Sequence, residues 1–382
     1  MKIGIYTLHS SNNFGAQLQS YALQKFLEDK GYEVEFVNYV SKESEKRSRY
    51  RYKWTSLKGI LLNIMRILSP SIRLKISRED FFNNKLHFSS HYDSWEAMYK
   101  TPPEYDIHLV GSDQVWNIEK GFPKFHPHFL EFLPDGKARM SYASSFGTTQ
   151  IDRRFIPRLR DSLQKFNYLS VREKDGVDLV RKITGKDVQL VVDPTFLLSS
   201  DEWIKETNPT PLIKGEYILC YGCVRSEYWA RIITKAKELL DMPVVAVSTS
   251  IIMPYDVDKF FQSAGPREFL NLFYYASYVI TGSFHGLAFS LNFRRNFVVV
   301  RQGTRMSRME SLLKHLEIDG YIIQEDNELI KLLSRPHYID YEKVSVTLSK
   351  DIEISKEWLT SSLNSLKENN NACDKENSTV VG

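Results

Sequence analysis

Residues 1–40 alternate between a β-rich segment, a polar loop, a helical segment and a second β-rich segment. Residues 2–8 are rich in strand-forming side chains, and residues 9–15 are polar and end in a glycine. Apolar residues then recur at helical spacing through 16–30, and Gly31 is placed to end that helix. Residues 32–40 return to a strand pattern. This order is a βαβ unit, which predicts a parallel, doubly wound sheet.

The same order of strand, polar loop and helix recurs along the chain and predicts two α/β domains. The length agrees, because 382 residues exceed the roughly 100–200 residues of a typical domain. A cluster of turn-forming residues at 201–215 marks the boundary. We expect an N-terminal Rossmann-like domain at 1–200, a C-terminal one at 201–335, a helical segment at 336–366 and a disordered tail at 367–382. Polar loops that follow the strands should line the cleft between the domains.

The composition is that of a globular, cytoplasmic protein. Hydrophobic residues make up 42% of the chain and charged residues 26%, which is enough apolar material for two cores. We expect no signal peptide, because the first residues lack an apolar stretch with a small-residue cleavage site. Three cysteines do not make a disulfide framework. Cys220 and Cys223 have the spacing of a redox pair, but their place at the end of a predicted strand favours a structural role.

Positive charge is concentrated in residues 42–78. This insertion holds 11 Lys and Arg against 2 Glu, a balance of +9, which leaves −5 for the rest of a chain whose net charge is +4. Part of it, 57–74, is apolar with scattered basic residues, which suits peripheral contact with an anionic membrane surface. A solvated, partly helical insertion explains the same pattern. We expect no nucleic acid among the partners.

Residues 281–286, with the sequence Thr-Gly-Ser-Phe-His-Gly, form the most informative loop. They lie between a predicted strand and the next helix, where free backbone N–H groups and the helix dipole favour an anion. Ser283 can donate a hydrogen bond, Gly286 permits close backbone approach, and His285 can bind an anion or transfer a proton near neutral pH. The alternative is an ordinary strand-to-helix turn with a buried histidine.

Arginines in both domains are candidates for binding carboxylate or phosphate. Arg172 follows a first-domain strand and precedes Glu173. Arg301, Arg305 and Arg308 lie downstream of His285, and Arg305 is 20 residues beyond it. Any of these three arginines could lie in the cleft between the domains.

Two first-domain loops carry side chains suited to a sugar. The loop after the predicted strand at 106–110 contains Asp113, Gln114, Trp116 and Asn117, in which polar groups could meet hydroxyls and the indole a ring face. The N-terminal loop offers a similar surface in residues 12–15, which are Asn12, Asn13, Phe14 and Gly15. Ordinary turn chemistry around a packed aromatic ring is the alternative for both loops.

Seven short motifs occur in the order in which one enzyme family has them. They are the runs at 13–23, 111–117, 144–147, 170–173, 193–195, 265–270 and 283–286. Together they resemble the polysaccharide pyruvyl transferase family over roughly residues 1–315. The resemblance implies two Rossmann-like domains facing each other across a cleft, as in GT-B glycosyltransferases. It also implies phosphoenolpyruvate as the donor, and as the acceptor a sugar of a surface polysaccharide such as a capsule or exopolysaccharide, or of its lipid-linked precursor.

The resemblance also assigns roles to residues. His285, Arg172 and Arg305 would serve the donor together with Ser283 and Gly286, and the N-terminal loop would face the acceptor. Ketal formation requires protonation of the donor's methylene carbon and attack of a sugar hydroxyl on C2. We expect His285 to bind the donor phosphate, with the capacity to supply a proton, and Asp113 to act as the base. This scheme requires neither a metal nor any other cofactor.

Two other functions fit the same features. A GT-B glycosyltransferase that uses a nucleotide sugar would share the fold and the anion site. A non-catalytic protein that binds carbohydrate or polyanions could instead use the basic insertion, and its binding would depend on salt.

Overall fold

The computed structural model describes all residues except 10–12, 40–55, 57–59, 61–80, 120, 124–125, 225, 249–256, 263, 302–305, 335–337 and 381–382, and the side chains of 370–380. A parallel sheet forms the first domain, with strands β1 (Lys2–Tyr6), β2 (Glu33–Phe36), β3 (Ile107–Val110) and β4 (Arg139–Ser141) in the order β2-β1-β3-β4. The short strands β5 (Ser170–Val171) and β6 (Gln189–Leu190) pair in parallel. Isolated bridges join β4 and its following loop to the β5 region, which extends the parallel arrangement.

Helix α1 (Phe14–Asp29) follows β1 and is buried over almost its whole length. It begins where the side chain of Asn13 accepts a hydrogen bond from the Gly15 N–H, and Gly31 turns the chain after it with a φ of 83°. Phe14, at its first position, stacks on Phe269 of the second domain at 4.9 Å. A helix of the first domain therefore lies in contact with the second.

The remaining first-domain helices cover the sheet and connect its strands. They include α2 (Trp95–Lys100), α3 (Ile156–Gln164) and α4 (Lys174–Thr184). Buried apolar residues of α3 and α4 belong to the same core as Trp116 and Phe146. Because these strands run parallel, the carboxyl ends of β3, β4 and β5 lie at one edge, beside the end of β1.

The second domain is built on a fully parallel sheet. Its strands are β7 (Ile218–Tyr221), β8 (Val244–Val247), β9 (Lys259–Phe261), β10 (Tyr278–Thr281), β11 (Asn296–Val300) and β12 (Ile322–Ile323), in the order β12-β11-β10-β7-β8-β9. The helices are α5 (Ser200–Lys205), α6 (Glu227–Leu240), α7 (Pro266–Tyr275), α8 (Phe284–Asn292), α9 (Ser307–His315) and α10 (Asp326–Leu333). The predicted class of two Rossmann-like domains is confirmed.

The last helix, α11 (Tyr341–Val380), returns to the first domain. The Ser355 hydroxyl accepts a hydrogen bond from the Val192 N–H at 2.9 Å, and Trp358 contacts Tyr168. The helix continues through most of 367–382, where we predicted a disordered tail, and this differs from the prediction. No glycine or proline interrupts 341–380, so nothing in the local sequence ends the helix earlier.

The basic insertion at 42–78 lies outside the described residues, apart from Ser56 and Ile60. Its contact with a membrane surface stays a prediction. Within the described part of the chain, no helix combines the length and the apolar character that a membrane crossing demands.

Candidate functional site

Arg172 is at the centre of a buried ionic cluster where the two domains meet. It follows β5, and its side chain is fully buried. Its Nη2 donates to Asp113 Oδ1 and its Nη1 to Asp193 Oδ2, each at 2.7 Å. Burial alone would lower the pKa of the guanidinium, but Asp113 and Asp193 outweigh it and raise that pKa. Arg172 therefore stays positively charged, and its guanidinium is held in one orientation by the two carboxylates.

Both carboxylates come from loops that follow strands. Asp113 lies beyond β3 with a φ of 73°, and Asp193 lies beyond β6, where it also accepts hydrogen bonds from the backbone and hydroxyl of Thr195. Burial raises the pKa of Asp113, while Arg172 and His285 lower it, and the net effect is a pKa below the ordinary value. Asp113 is thus an ionised partner of Arg172, which makes it a weak base.

His285 approaches this cluster from the second domain, at the second position of α8. Its Nε2 lies 3.8 Å from Asp193 Oδ2 and, among the described residues, has no hydrogen-bond partner. Burial lowers its pKa, since Asp193 and Asp113 only partly compensate. The imidazole is therefore neutral near neutral pH, with one buried nitrogen available to a ligand.

The strand-to-helix turn that holds His285 is fixed by Thr281. The Thr281 hydroxyl donates to the Tyr221 carbonyl at 2.7 Å and accepts from the Ser283 N–H at 3.1 Å. A Cβ at Gly286 would lie 2.1 Å from Thr281 Oγ1, so only glycine fits there. Close packing thus explains Gly286, while Ser283 precedes α8 without a side-chain cap bond, and its side chain hydrogen-bonds to that of Tyr221.

Arg308 is the second cation of the site, on the first turn of α9. Its guanidinium lies 5.6 Å from the ring centre of Phe284, and that of Arg172 lies 5.0 Å from the same ring. Arg308 makes no hydrogen bond or ion pair with any described residue. Burial and the charge of Arg172 lower its pKa to about 10. An unpaired, half-buried cation beside another cation indicates an anion site.

The other two candidate arginines are placed differently. Arg301 forms an ion pair with Glu310 and is partly exposed. Arg305 lies outside the described residues, so its role stays a prediction. Spacing alone could not separate the three, because the orientation of Arg308 depends on where α9 begins.

Glu173 is a further carboxyl group of the cluster, and the sequence analysis assigns it no role. The Ser145 hydroxyl donates to its Oε1 at 2.5 Å. Its Oε2 lies 3.8 Å from Arg172 Nε, and both atoms are buried without a hydrogen-bond partner among the described residues. Burial raises the pKa of Glu173, although Arg172 and Arg308 oppose the shift.

A cavity of about 630 Å³ opens beside these groups. Arg172, Glu173, Asp193, Phe284 and Arg308 line one side of it, and α11 closes another through Asp351, Ile354 and Ser355. Its volume is in the range of small-molecule sites. Arg172 and Glu173, which carry two of the unpaired atoms, therefore border space that a ligand could fill.

The acceptor-side predictions are partly wrong. Trp116 is fully buried, and its indole N–H donates to the His128 carbonyl at 2.9 Å, so its face is not free for a sugar. Phe14 is likewise buried against Phe269. Phe14 is the first residue of α1, whereas Trp116 lies in the loop after β3. In neither case did the polar neighbours in the sequence indicate that the ring points into a core.

The polar members of those loops are more accessible. Asn13 is exposed, and Gln114 and Asn117 are half-buried, with Asn117 Nδ2 donating to Gln114 Oε1 at 3.4 Å. Gly15 lies against His285, where an added Cβ would meet the ring. Asn12 lies outside the described residues. Their binding of an acceptor stays a prediction.

The cysteine pair noted in the sequence and a pair of first-domain histidines both have structural surroundings. Cys220 and Cys223 are free thiols, and burial raises the pKa of Cys223. His126 packs against His128 and against Phe129, which belongs to the first-domain core. Within the described ranges, no three His, Cys, Asp or Glu residues are arranged to hold a metal ion.

Comparisons with known proteins agree with this fold. The family model described as polysaccharide pyruvyl transferase matches residues 13–303. None of the curated proteins compared with the chain matches it.

Solved structures similar to the chain include three UDP-N-acetylglucosamine 2-epimerases. The Listeria monocytogenes protein, a candidate enzyme of this type, has a TM-score of 0.55 at 12% identity, covering 96% of this chain and 97% of that one. The Neisseria meningitidis enzyme, bound to UDP-GlcNAc, has 0.52 at 11%, covering 96% and 100%. The Methanocaldococcus jannaschii enzyme has 0.51 at 12%, covering 93% and 99%. At these identities the likeness establishes the GT-B fold alone.

Proposed function

Because the chain belongs to the polysaccharide pyruvyl transferase family, we propose that it transfers the pyruvyl group of phosphoenolpyruvate to a sugar. The acceptor would be part of a surface polysaccharide or its lipid-linked precursor. The product would be a pyruvate ketal, with phosphate released. Access to a lipid-linked acceptor would place the enzyme in the cytoplasm, at the inner face of the membrane.

The pair of Arg172 and Arg308, whose guanidinium groups lie 5.0 and 5.6 Å from the ring centre of Phe284, is the observation that supports this donor most directly. Phosphoenolpyruvate carries a carboxylate and a phosphate on a three-carbon frame, so two cations beside the same ring match its two anionic ends. The Arg172 guanidinium is already oriented by Asp113 and Asp193. Arg308 has no anionic partner among the described residues, and a donor group would supply one.

His285 would complete the donor site. As a neutral imidazole it can donate one hydrogen bond to a phosphate oxygen from Nε2, the atom that lacks a partner in the described structure. The first turn of α8 adds the positive end of its dipole at the same place. Ser283 lies on that turn, and its hydroxyl can donate to the same anion.

Calorimetric titration of phosphoenolpyruvate tests this proposal without knowledge of the acceptor. We expect the wild type to bind and His285→Ala to bind at least about tenfold more weakly, since a hydrogen bond to a charged group contributes roughly 1.5–3 kcal/mol. His87→Ala is the matched control, because His87 is exposed and pairs with Glu28 far from the site. Failure of the wild type to bind phosphoenolpyruvate, together with tight binding of a UDP-sugar, would overturn the proposal in favour of a glycosyltransferase.

A further inference from the structure

We propose that the Glu173 carboxyl group is the acid that protonates the methylene carbon of phosphoenolpyruvate. This inference rests on the proposed function and adds to it a catalytic residue. It follows from the position of Glu173 on the cavity wall with Arg172 and Arg308, and from its buried Oε2, which has no hydrogen-bond partner among the described residues.

The geometry leaves one oxygen of Glu173 for a ligand. Ser145 occupies Oε1, while Oε2 is buried and has no hydrogen-bond partner among the described residues. Arg172 Nε, 3.8 Å away, is also buried without one. Such atoms are rare in native proteins unless a ligand or an ordered water completes them. A donor whose anionic end meets Arg172 would bring its carbon frame close to Oε2.

The charges around Glu173 suit a proton donor. It faces Arg172 on its own loop, Arg308 on α9, Asp113 beyond β3 and Ser145 beyond β4. Burial and Asp113 favour its neutral form, while the arginines and Ser145 oppose it, with a net rise in pKa. Binding of a multiply charged anion beside it would add to that rise, because a second negative charge becomes more costly.

The other acidic and basic groups are less suited to this step. Asp113 and Asp193 each accept a hydrogen bond from Arg172, and the pKa of Asp113 is lowered, so these two carboxylates are occupied by the guanidinium. His285 has a lowered pKa and carries no surplus proton near neutral pH. The environment thus moves the pKa values of Glu173 and His285 in opposite directions, which assigns the acid to Glu173 and leaves His285 as a neutral hydrogen-bonding group.

The step balances in atoms and charge. The Glu173 proton adds to C3, which becomes a methyl group, while C2 takes on oxocarbenium character. A sugar hydroxyl adds to C2, and its proton returns to the Glu173 carboxylate. The C2–O bond to phosphate then breaks, a second hydroxyl of the same sugar closes the ketal, and its proton leaves with the phosphate.

The substitution Glu173→Gln separates this role from a structural one. Glutamine has the shape of the protonated acid, so phosphoenolpyruvate should bind with a Kd within about threefold of the wild type. Turnover should fall by at least about 100-fold, as expected for loss of a general acid. Turnover would be followed as phosphate release with p-nitrophenyl hexosides and N-acetylhexosaminides as acceptor probes, and Glu216→Gln, at an exposed position, is the control.

Two further measurements follow the proton that Glu173 would transfer to the donor. In D₂O the wild type should place one solvent deuterium in the product methyl group. Ser145→Ala removes a hydrogen bond that favours the Glu173 carboxylate, so the pKa of Glu173 should rise further. The basic limb in the pH profile of kcat for this variant should therefore move to higher pH. Circular dichroism would check that each variant is folded, and Glu173→Asp should restore part of the turnover.

Two results would overturn the inference. One is turnover within a few-fold of the wild type in Glu173→Gln. The other is loss of phosphoenolpyruvate binding in folded Glu173→Gln, which would show that an ionised Glu173 orients Arg172. Failure of the proposed function is recognised separately, because the wild type itself would then neither bind phosphoenolpyruvate nor release phosphate from it.

Discussion

Gly15 of the first domain lies directly against the imidazole of His285 in the second. A Cβ atom at position 15 would lie 2.0 Å from Cγ of the ring, well inside any permitted contact. The N-terminal loop and the anion-binding turn of α8 are thus fitted to each other across the domain interface. The position of His285 therefore depends on a residue from the other domain.

Replacement of Gly15 by alanine should displace His285 and impair use of the donor. We expect at least about a 100-fold loss of kcat/KM for phosphoenolpyruvate, because a misplacement of about 1 Å at a catalytic centre has effects of that order. Gly320→Ala is the matched control, since nothing lies within 4 Å of its added Cβ. Steady-state kinetics with both variants, alongside their thermal unfolding, make the comparison. Unchanged kinetics in folded Gly15→Ala would show that the ring tolerates the shift.

Arg308→Met should weaken the binding of phosphoenolpyruvate without lowering the stability of the fold. The half-buried guanidinium lies near Arg172 without a carboxylate bonded to it, so its loss should leave the melting temperature unchanged or raise it. Phosphoenolpyruvate affinity should fall at least about tenfold, as expected for a charge-assisted hydrogen bond. Calorimetry and thermal unfolding provide the two measurements, and Arg231→Met, which removes an exposed ion pair with Asp326, is the control. Retained affinity with lowered stability would contradict this role.

The alternation of strand and helix patterns was sufficient to predict the two parallel sheets, since hydrophobic periodicity and glycine positions are local properties. The site was predicted in part, because loops after parallel strands must lie at one edge of their sheet. Arg172 and His285 could be found in this way. The pairing of Arg172 with Asp113 and Asp193, and the orphaned oxygen of Glu173, depend on contacts between residues 20 to 60 positions apart, and no local pattern encodes them.

Aromatic residues in loops were the main source of error. Trp116 has polar neighbours in sequence, which resemble a sugar site, yet its ring fills the first-domain core with Phe129, Phe146 and Phe166. The energy gained by burying so large a ring outweighs the polarity of the loop around it. Polar residues on either side of an aromatic residue therefore do not determine which way the ring points.

Trp116→Phe should destabilise the protein without a specific effect on the acceptor. The change leaves the His128 carbonyl without its buried donor and creates a small cavity, so unfolding should require about 1–3 kcal/mol less free energy. Urea unfolding measures this, and KM for any acceptor should stay within about threefold. A tenfold rise in that KM with unchanged stability would restore the sugar-binding assignment. Gln114→Ala, at a half-buried polar position of the same loop, provides the comparison for a real acceptor contact.

Asp113→Asn tests whether Asp113 orients Arg172 or acts as the base. Its pKa is lowered in the folded state, so its ion pair stabilises the fold above the unfolded carboxyl pKa of about 3.9 and this contribution is lost as pH falls through the lower folded value. The stability difference between wild type and variant should therefore be full at pH 6 and shrink toward pH 2 in urea unfolding.

An orienting role also predicts the kinetic result. Arg172 would keep Asp193 but lose one of its two anchors, so the Kd for phosphoenolpyruvate should rise and kcat should fall by a smaller factor. A base would show the reverse pattern, with normal donor affinity, a loss of kcat of about 100-fold or more and disappearance of the acidic limb of the pH profile. The direct 2.7 Å contact with Arg172 favours the first result, because a carboxylate held by a guanidinium has little tendency to accept a proton from a sugar hydroxyl.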